Sequence, residues 1–386
     1  MSQLKLPKAL KIFVICGEPS GDVLAADAVK DLIDIYPGQV RLRGIGGTHL
    51  KAQGLESLFP MEDLSLMGLA EIVPHIPKLL GRIDLTVRAI IEGQPDIVLT
   101  VDAPDFSFRV VKSLRKKDCH FPHFIHYVAP TVWAWRPGRA KKVAKLYDRI
   151  LCLLPFEPKY FEREGLAASF VGHSALRSDL LFGDRKEFEK IYPQIKGRDT
   201  LGVLCGSRKG ELKRLGTTFA ETAKAWLSED KDRVVIAPTL DHLEEQVREL
   251  FIGYQDRIVT LTEKALKPHA FAAMNRALAV SGTVGLELAL CKIPHIIGYR
   301  AHPFTYWLAK MMVKVNYAHL ANILLDRMVV PEFIQGECSK ENLLEALAGL
   351  DENEQLESFE KVRALLQAPQ TPAQSILNSY RKSLSN

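Results

Sequence analysis

The stretch "LKIFVICGEPSGDVLAADAVKDLIDIY", residues 10–36, decides the fold class. Its first seven residues form an apolar run without strict alternation, which is typical of a strand covered on both faces. A turn with two glycines follows, and apolar residues then recur with helical spacing. This strand–turn–helix unit predicts a parallel sheet, whose carboxyl edge is the usual ligand-binding edge in α/β proteins.

The same unit recurs along the chain in two series. Further strands are predicted at 96–102, 123–128, 148–155 and 169–173, and a second series begins near 200, 233, 257, 276 and 294. We therefore predict an α/β protein with two doubly wound parallel-sheet domains. The predicted boundaries are 1–175 for the first domain, 176–351 for the second and 352–386 for a C-terminal helix that packs back on the first.

Composition and charge exclude several classes of protein. The chain has 386 residues, 47% of them hydrophobic, and a net charge of +5, which is too mild for a nucleic-acid binder. No signal peptide and no apolar run long enough to span a membrane are recognisable. The six cysteines are scattered and lack metal-site or disulfide spacing. We expect a globular cytoplasmic protein.

The turn after the first strand offers polar groups at the ligand-binding edge. Glu18 and Asp22 are carboxylates, Ser20 is a candidate helix N-cap, and Gly21 permits close approach. The turn lacks the GxGxxG pattern of a nicotinamide site, and no GxSxG elbow of an α/β-hydrolase follows. The alternative interpretation is that both carboxylates only complement the helix dipole.

A second acidic turn, "VDAPDF", follows the strand at 96–102. Asp102 comes directly after the apolar run, so the strand end points it toward the same edge as Glu18 and Asp22. A carboxylate beside others and partly desolvated has a raised pKa, which suits a general base.

The segment "YVAPTVWAWRPGR" joins tryptophans to arginines. Trp133 and Arg136 are candidates for stacking on a sugar face and for binding a phosphate. Alternatively, the tryptophans belong to the core and the following cations form a solvated helix face.

Two turns in the second series have the character of phosphate sites. Gly206, Ser207 and Arg208 lie between a strand and a helix, where amides, a hydroxyl and a guanidinium can converge on a diphosphate. The segment "SGTVGLE" repeats the arrangement. Its candidates are Ser281, Gly282 and Thr283 for the diphosphate and Glu287 for a ribose hydroxyl.

Residues 61–85, "MEDLSLMGLAEIVPHIPKLLGRIDL", are rich in Leu, Ile and Met, with Lys78, Arg82 and Arg88 nearby. Such a segment is either a pair of core helices or an apolar surface that enters a membrane interface beside cations.

Six blocks, "GEPSGD", "VDAPDF", "YVAPTVWAWR", "LPFEPKYFEREG…FVGH", "SGTVGLE" and "NILLDRMVVPEFIQ", together resemble the lipid-A-disaccharide synthases. The resemblance covers about residues 12–335 in the same order. It implies a GT-B fold, with two Rossmann-like domains facing across a cleft and the nucleotide held by the C-terminal one. It favours the membrane interpretation of residues 61–85.

The resemblance also implies a reaction. An inverting, metal-independent transfer moves 2,3-diacylglucosamine from UDP-2,3-diacylglucosamine to the 6-hydroxyl of 2,3-diacylglucosamine 1-phosphate. Asp102 is the first candidate for the base, before Asp22 and Glu18. Tyr299 and Asn322 are expected to line the nucleotide or sugar pocket, and no cofactor or metal is expected.

The implied setting is the inner face of the inner membrane, where the protein would be peripherally bound to surface lipids. The resemblance also implies a tendency to form homodimers. A nucleotide-sugar epimerase and a non-catalytic UDP-sugar binder remain as alternatives. The former would convert the UDP-sugar without an acceptor, and the latter would release no UDP.

Overall fold

The computed structural model describes residues 9–64, 76–117, 121–302, 306–307 and 315–385. The chain divides into two compact units. The first is Met1–Ser174 together with Leu366–Asn386, and the second is Ala175–Leu365. Each unit contains one parallel sheet with helices, so the predicted α/β class is confirmed.

The first unit alternates strands and helices. Its described strands are Leu10–Cys16 (β1), Val40–Ile45 (β2), Glu56–Ser57 (β3), Ile97–Val101 (β4), His123–Tyr127 (β5), Arg149–Cys152 (β6) and Ala167–Phe170 (β7). Its described helices are Pro19–Ile35 (α1), Thr48–Ala52 (α2), Ile76–Gly93 (α3), Pro104–Leu114 (α4), Arg139–Ala144 (α5) and Pro158–Glu162 (α6), with one C-terminal helix given below.

The second unit repeats the alternation. Its described strands are Asp199–Leu204 (β8), Arg233–Pro238 (β9), Ile258–Leu261 (β10), Arg276–Val280 (β11), His295–Tyr299 (β12) and Glu332–Ile334 (β13). The described helices from here to the C-terminus are Arg185–Ile191 (α7), Lys209–Glu229 (α8), Glu244–Leu250 (α9), Lys267–Ala272 (α10), Thr283–Leu290 (α11), Leu320–Leu325 (α12), Lys340–Ala348 (α13), Glu352–Leu366 (α14) and Pro372–Ser383 (α15).

Both sheets are doubly wound. The strand orders are β3-β2-β1-β4-β5-β6-β7 and β10-β9-β8-β11-β12-β13, and each strand pairs in parallel with its neighbours. The direction of winding reverses between β1 and β4 in the first unit and between β8 and β11 in the second. Loops diverge at such a reversal and open a crevice at the carboxyl ends of the two strands.

Burial explains why these runs form central strands. Every residue of β4 is buried, and in β1 only Lys11 is exposed. Helix α1 and helix α15 cover one face of the first sheet, whereas α3 and α4 cover the other. The short edge strands β3 and β13 were not predicted, because runs of two or three residues carry no recognisable period.

Residues 352–386 form two helices rather than the single helix expected from sequence. Pro372 stands at the start of α15, and a proline is tolerated at the first turn of a helix but not inside one. Residues of α14 up to Leu365 belong to the second unit, whereas α15 belongs to the first. There Tyr380 Oη donates to Asp96 Oδ1 at 2.9 Å.

Candidate active site

The turns after β1 and β4 pack against each other without spare room. A Cβ added to Gly17 would stand 2.6 Å from Ala103 Cβ, and one added to Gly21 would stand 3.2 Å from the Val101 carbonyl oxygen. Only glycine fits such an approach at Gly17. The two turns therefore form one surface at the reversal of the first sheet.

On this surface, the side chain of Asp22 stabilises the fold. Its side chain is 1% exposed and accepts hydrogen bonds from the backbone N–H groups of Gly47 at 2.7 Å, His49 at 2.9 Å and Leu50 at 3.3 Å. These donors open helix α2, so the carboxylate satisfies N–H groups that a helix start leaves unpaired. Asp22 is the second candidate for the base by sequence, and its buried side chain, which already accepts three hydrogen bonds, argues against that role.

Asp102 has a different environment. It is half-buried, and among the described residues its one side-chain partner is the Ala103 N–H, which donates to Oδ1 at 2.9 Å. Burial raises the pKa of the Asp102 carboxyl, and this hydrogen bond offsets part of the rise. Asp102 and Ala103 both have left-handed backbones, with φ of 52° and 43°. Strain of this kind clusters at functional sites.

Glu18 and Ser20 lie at the start of α1. The helix begins at Pro19, and Glu18 occupies the N-cap position without a side-chain capping bond. Ser20 is therefore an exposed residue of the first turn, not the N-cap that the sequence predicted, because proline favours the first helical position. Burial and the charge of Asp102 both raise the pKa of the Glu18 carboxyl.

The tryptophan segment follows β5 at the same carboxyl edge. Trp133 is half-buried and donates from Nε1 to Glu157 Oε1 at 3.1 Å. Arg136 is exposed, and its guanidinium lies 4.3 Å from the centre of the Trp135 ring. Glu157 is 3% exposed, and burial raises its pKa to about 7. The structure thus joins Trp133 to a buried acid that was not among the predicted site residues.

The second unit contains a cavity of about 480 Å³ at the reversal between β8 and β11. Eight predicted binding residues line it, and they come from the end of β12, the turns after β8 and β11, and helix α11. They are Gly206, Ser207, Arg208, Ser281, Gly282, Thr283, Glu287 and Tyr299.

In the turn after β8, the side chain of Glu211 occupies the backbone N–H groups. Glu211 Oε2 accepts the N–H groups of Ser207 at 3.0 Å and Arg208 at 3.3 Å. A Cβ added to Gly206, whose φ is 102°, would meet that oxygen at 2.4 Å. In this structure the two amides are therefore not free to bind a diphosphate. The Arg208 side chain is 74% exposed, so its guanidinium remains accessible.

The turn after β11 has backbone N–H groups that are available to a ligand. Among the described residues, no acceptor takes the N–H groups of Gly282, Thr283 and Val284. These amides begin helix α11, whose partial positive charge adds to their attraction for an anion. Four residues further along, Glu287 Oε2 accepts from Lys267 Nζ at 3.0 Å. The cavity therefore presents open amides beside one oriented carboxylate.

Asn322 lies outside this cavity, contrary to the sequence prediction. It is fully buried, and its side-chain oxygen accepts the N–H groups of Val329 and Val330. Its Nδ2 donates to the Val330 carbonyl and to Glu332 Oε1, each at 2.7 Å. With every polar atom in use, the Asn322 amide stabilises the loop before β13 instead of contacting a ligand.

Sequence reasoning missed several residues of the cavity wall. Thr239 and Leu240 come from the turn after β9, Lys264 from the turn after β10, and Lys267 begins helix α10. Their signal was their position just after an apolar strand. The two predicted phosphate turns of this unit contain Gly and Ser, whereas the turns after β9 and β10 contain neither residue.

The segment proposed to meet a membrane lies partly outside the described residues, at 65–75. Lys78 Nζ and Arg82 Nη2 each lie 2.6 Å from a carboxylate oxygen of Asp63, and Arg88 pairs with Asp84. In the part of the chain that the structure describes, no helix is both long and apolar enough to cross a bilayer.

Solved structures share this architecture across nearly the whole chain. A putative UDP-N-acetylglucosamine 2-epimerase from Listeria monocytogenes has a TM-score of 0.65 and 16% identity, over 98% of this chain and 97% of that one. MurG from Acinetobacter baumannii has a TM-score of 0.56 and 14% identity, over 97% and 100% of the chains. Identities this low show the fold alone, which is GT-B.

Comparison of amino-acid sequences identifies the family, which the shared fold alone does not. A lipid-A-disaccharide synthase from Rhodospirillum centenum is 47% identical over 336 residues, which are 87% of this chain and 84% of that protein. One from Ruegeria pomeroyi is 38% identical over 89% of this chain and 87% of its own length. The family model described as lipid-A-disaccharide synthetase matches residues 12–380. The chain therefore belongs to the lipid-A-disaccharide synthase family of glycosyltransferases.

Proposed function

We propose that the protein joins two acylated glucosamines. The donor is UDP-2,3-diacylglucosamine and the acceptor is 2,3-diacylglucosamine 1-phosphate. The acceptor 6-hydroxyl oxygen attacks the anomeric carbon, and the bond from that carbon to the diphosphate breaks with its electron pair leaving on UDP. The product is a β-1,6 disaccharide 1-phosphate, formed with inversion and without a metal.

One observation supports the binding of the UDP-sugar donor, and it is the cavity of the second unit. A nucleoside diphosphate needs donors for its oxygens and an acceptor for its ribose hydroxyls. The open amides of residues 282–284 and the guanidinium of Arg208 meet the first need. Glu287 meets the second, because Lys267 engages only its Oε2. Ser207 and Tyr299 complete the proposed wall.

Asp102 is the proposed base for the acceptor hydroxyl. Its carboxylate is half-buried, its pKa is raised, and Oδ2 accepts no hydrogen bond from a described residue. A base of this kind takes the hydroxyl proton as the new bond forms. Glu18, Ser20 and Gly21 flank it, and Trp133 and Arg136 are proposed to contact the acceptor sugar and its phosphate.

The proposal extends to the cellular setting. Because both substrates carry acyl chains, we propose peripheral attachment to the inner face of the inner membrane through residues 61–85. Homodimer formation belongs to the same proposal.

The test is product analysis with purified protein and both substrates in detergent micelles, with EDTA present. Mass spectrometry should detect the disaccharide 1-phosphate and an equal amount of UDP. Conversion of the donor without any acceptor would instead support an epimerase. Binding of UDP without its release from the donor would support a non-catalytic binder.

The cavity itself is tested by UDP titration. Replacing Glu287 with Gln should weaken UDP binding by about tenfold, because one charge-assisted hydrogen bond is lost. Glu263 also lines the cavity but is exposed, so Glu263→Gln is the matched control and should bind UDP as the wild type does. Equal affinities in all three proteins would contradict the placement of the ribose.

A further inference from the structure

A polar groove lies between helix α15 and the edge strand β7 of the first unit. Its volume is about 390 Å³, and every residue lining it is polar, including three cations and no acid. Arg149 is the first residue of β6, so it marks the amino edge of the sheet, opposite to the edge with Asp102. The groove is therefore separate from the proposed acceptor site and belongs to a different unit from the nucleotide cavity.

Arg149 is a half-buried cation without a counterion. Its Nε donates to Ser379 Oγ at 2.7 Å and its Nη1 to Ser169 Oγ at 2.5 Å. Its three other N–H donors have no partner, and no carboxylate lies within 4.0 Å of it, among the described residues. Two neutral hydroxyls compensate a desolvated guanidinium only in part.

Ser375 supplies an independent observation in the same groove. Its side chain is 1% exposed, and its hydroxyl has no hydrogen-bond partner although it lines the groove. Buried hydroxyls in native proteins are almost always paired. An unpaired donor beside an uncompensated guanidinium points to an anionic ligand.

Helix α15 directs two further cations to this place. Arg381 and Lys382 are exposed, and neither has a carboxylate within 4.0 Å among the described residues. Lys382 stands seven residues after Ser375, so the two share one face of the helix. Asn378 lies between them on that face and also lines the groove.

We propose that this groove is a phosphate-binding site, which the family's nucleotide-sugar chemistry does not require. The guanidinium of Arg149 offers a planar fork to two phosphate oxygens, and Lys382 adds a point charge. The hydroxyl of Ser375 donates to a third oxygen. The ligand is a phosphate group, carried either by a small soluble molecule or by the headgroup of an anionic lipid.

The first experiment measures binding of inorganic phosphate by ³¹P NMR. It uses full-length protein carrying Arg208→Ala, which removes a cation from the nucleotide cavity. The double variant Arg381→Glu/Lys382→Glu alters only exposed positions, so we expect the fold to be preserved. Lys116→Glu/Lys117→Glu makes the same charge change at another exposed pair of the first unit.

The groove variant should bind inorganic phosphate at least about tenfold more weakly than its parent, because charge-assisted contacts are lost. The control variant should match the parent. Phosphate binding of equal strength in the groove variant, or no binding by the parent, would overturn the proposal.

Vesicle flotation then distinguishes the two sources of phosphate. If the ligand is a lipid headgroup, a larger fraction of the protein floats with phosphatidylglycerol than with phosphatidylcholine vesicles, and the groove variant loses that difference while attachment through residues 61–85 remains. If the ligand is soluble, inorganic phosphate binds the groove while flotation is the same in parent and variant. Both results support the site, because each requires the phosphate affinity that the NMR titration measures.

Discussion

Two turns meet at the reversal of each sheet, and beside each reversal one acid accepts several backbone N–H groups while a second polar turn keeps groups available to a ligand. In the first unit Asp22 accepts three backbone N–H groups, whereas Asp102 accepts one. In the second unit Glu211 closes the turn after β8, and the amides after β11 remain open. The number of backbone donors on a carboxylate therefore separates an acid that holds the fold from one available to a substrate.

The largest expected effect comes from Asp102, the acid of the first unit that accepts only one backbone N–H group. Asp102→Asn should lower the rate of UDP release by about 10²–10⁴-fold, because general-base assistance is lost. UDP affinity and the free energy of unfolding should stay close to wild type. Turnover by this variant at the wild-type rate would remove Asp102 from the mechanism.

Replacing Asp22, which accepts three backbone N–H groups, should lower the stability of the fold instead. Asp22→Ala should lower the free energy of unfolding by about 3–5 kcal/mol, because buried N–H groups lose the side chain that accepts their hydrogen bonds. Urea denaturation measures this loss, and the exposed Asp34→Ala on the same helix is the control. A stable Asp22→Ala protein with no activity would reverse the roles that we assign to Asp22 and Asp102.

The packing of the two turns gives a smaller effect. Gly17→Ala should destabilise the protein by about 1–3 kcal/mol, because the new Cβ meets Ala103 Cβ at 2.6 Å. Ala103→Gly removes that atom, so the double variant should recover most of the stability. If the effects of the two substitutions on the free energy of unfolding are simply additive, the turns are not in steric contact at these two positions.

The effect of Glu157 on stability depends on pH. Glu157 also accepts three hydrogen bonds, yet burial raises its pKa to about 7. The folded state therefore binds the proton more tightly than the unfolded chain, and this acid's contribution to stability falls as pH rises from about 4.5 to about 7.

Urea denaturation across that range should show wild type losing about 3 kcal/mol relative to Glu157→Gln. Glu162→Gln, at an exposed position of the neighbouring helix, should leave the wild-type pH dependence in place. A pH-independent difference between wild type and Glu157→Gln would show that Glu157 keeps one protonation state throughout.

Sequence reasoning located the strands and the polar turns because both are local features. Apolar runs such as residues 10–16 and 97–101 identify buried strands, and Asp102 follows directly from the end of one. The role of Asp22 was not readable, since its donors lie 25 to 28 residues further along the chain. Asn322 was misassigned for a similar reason, because the loop that it stabilises folds back seven or more residues later.

The pH dependence of kcat/KM is the measurement that best tests whether Asp102 is the base. A base must be ionised, so activity should be lost as pH falls through the raised pKa of Asp102. We expect kcat/KM to fall on the acidic side with an apparent pKa above the ordinary aspartate value of about 3.9, and we expect this apparent pKa to be unchanged in Glu18→Gln. An apparent pKa at the ordinary value, or one that disappears in Glu18→Gln, would contradict the assignment of Asp102 as the base.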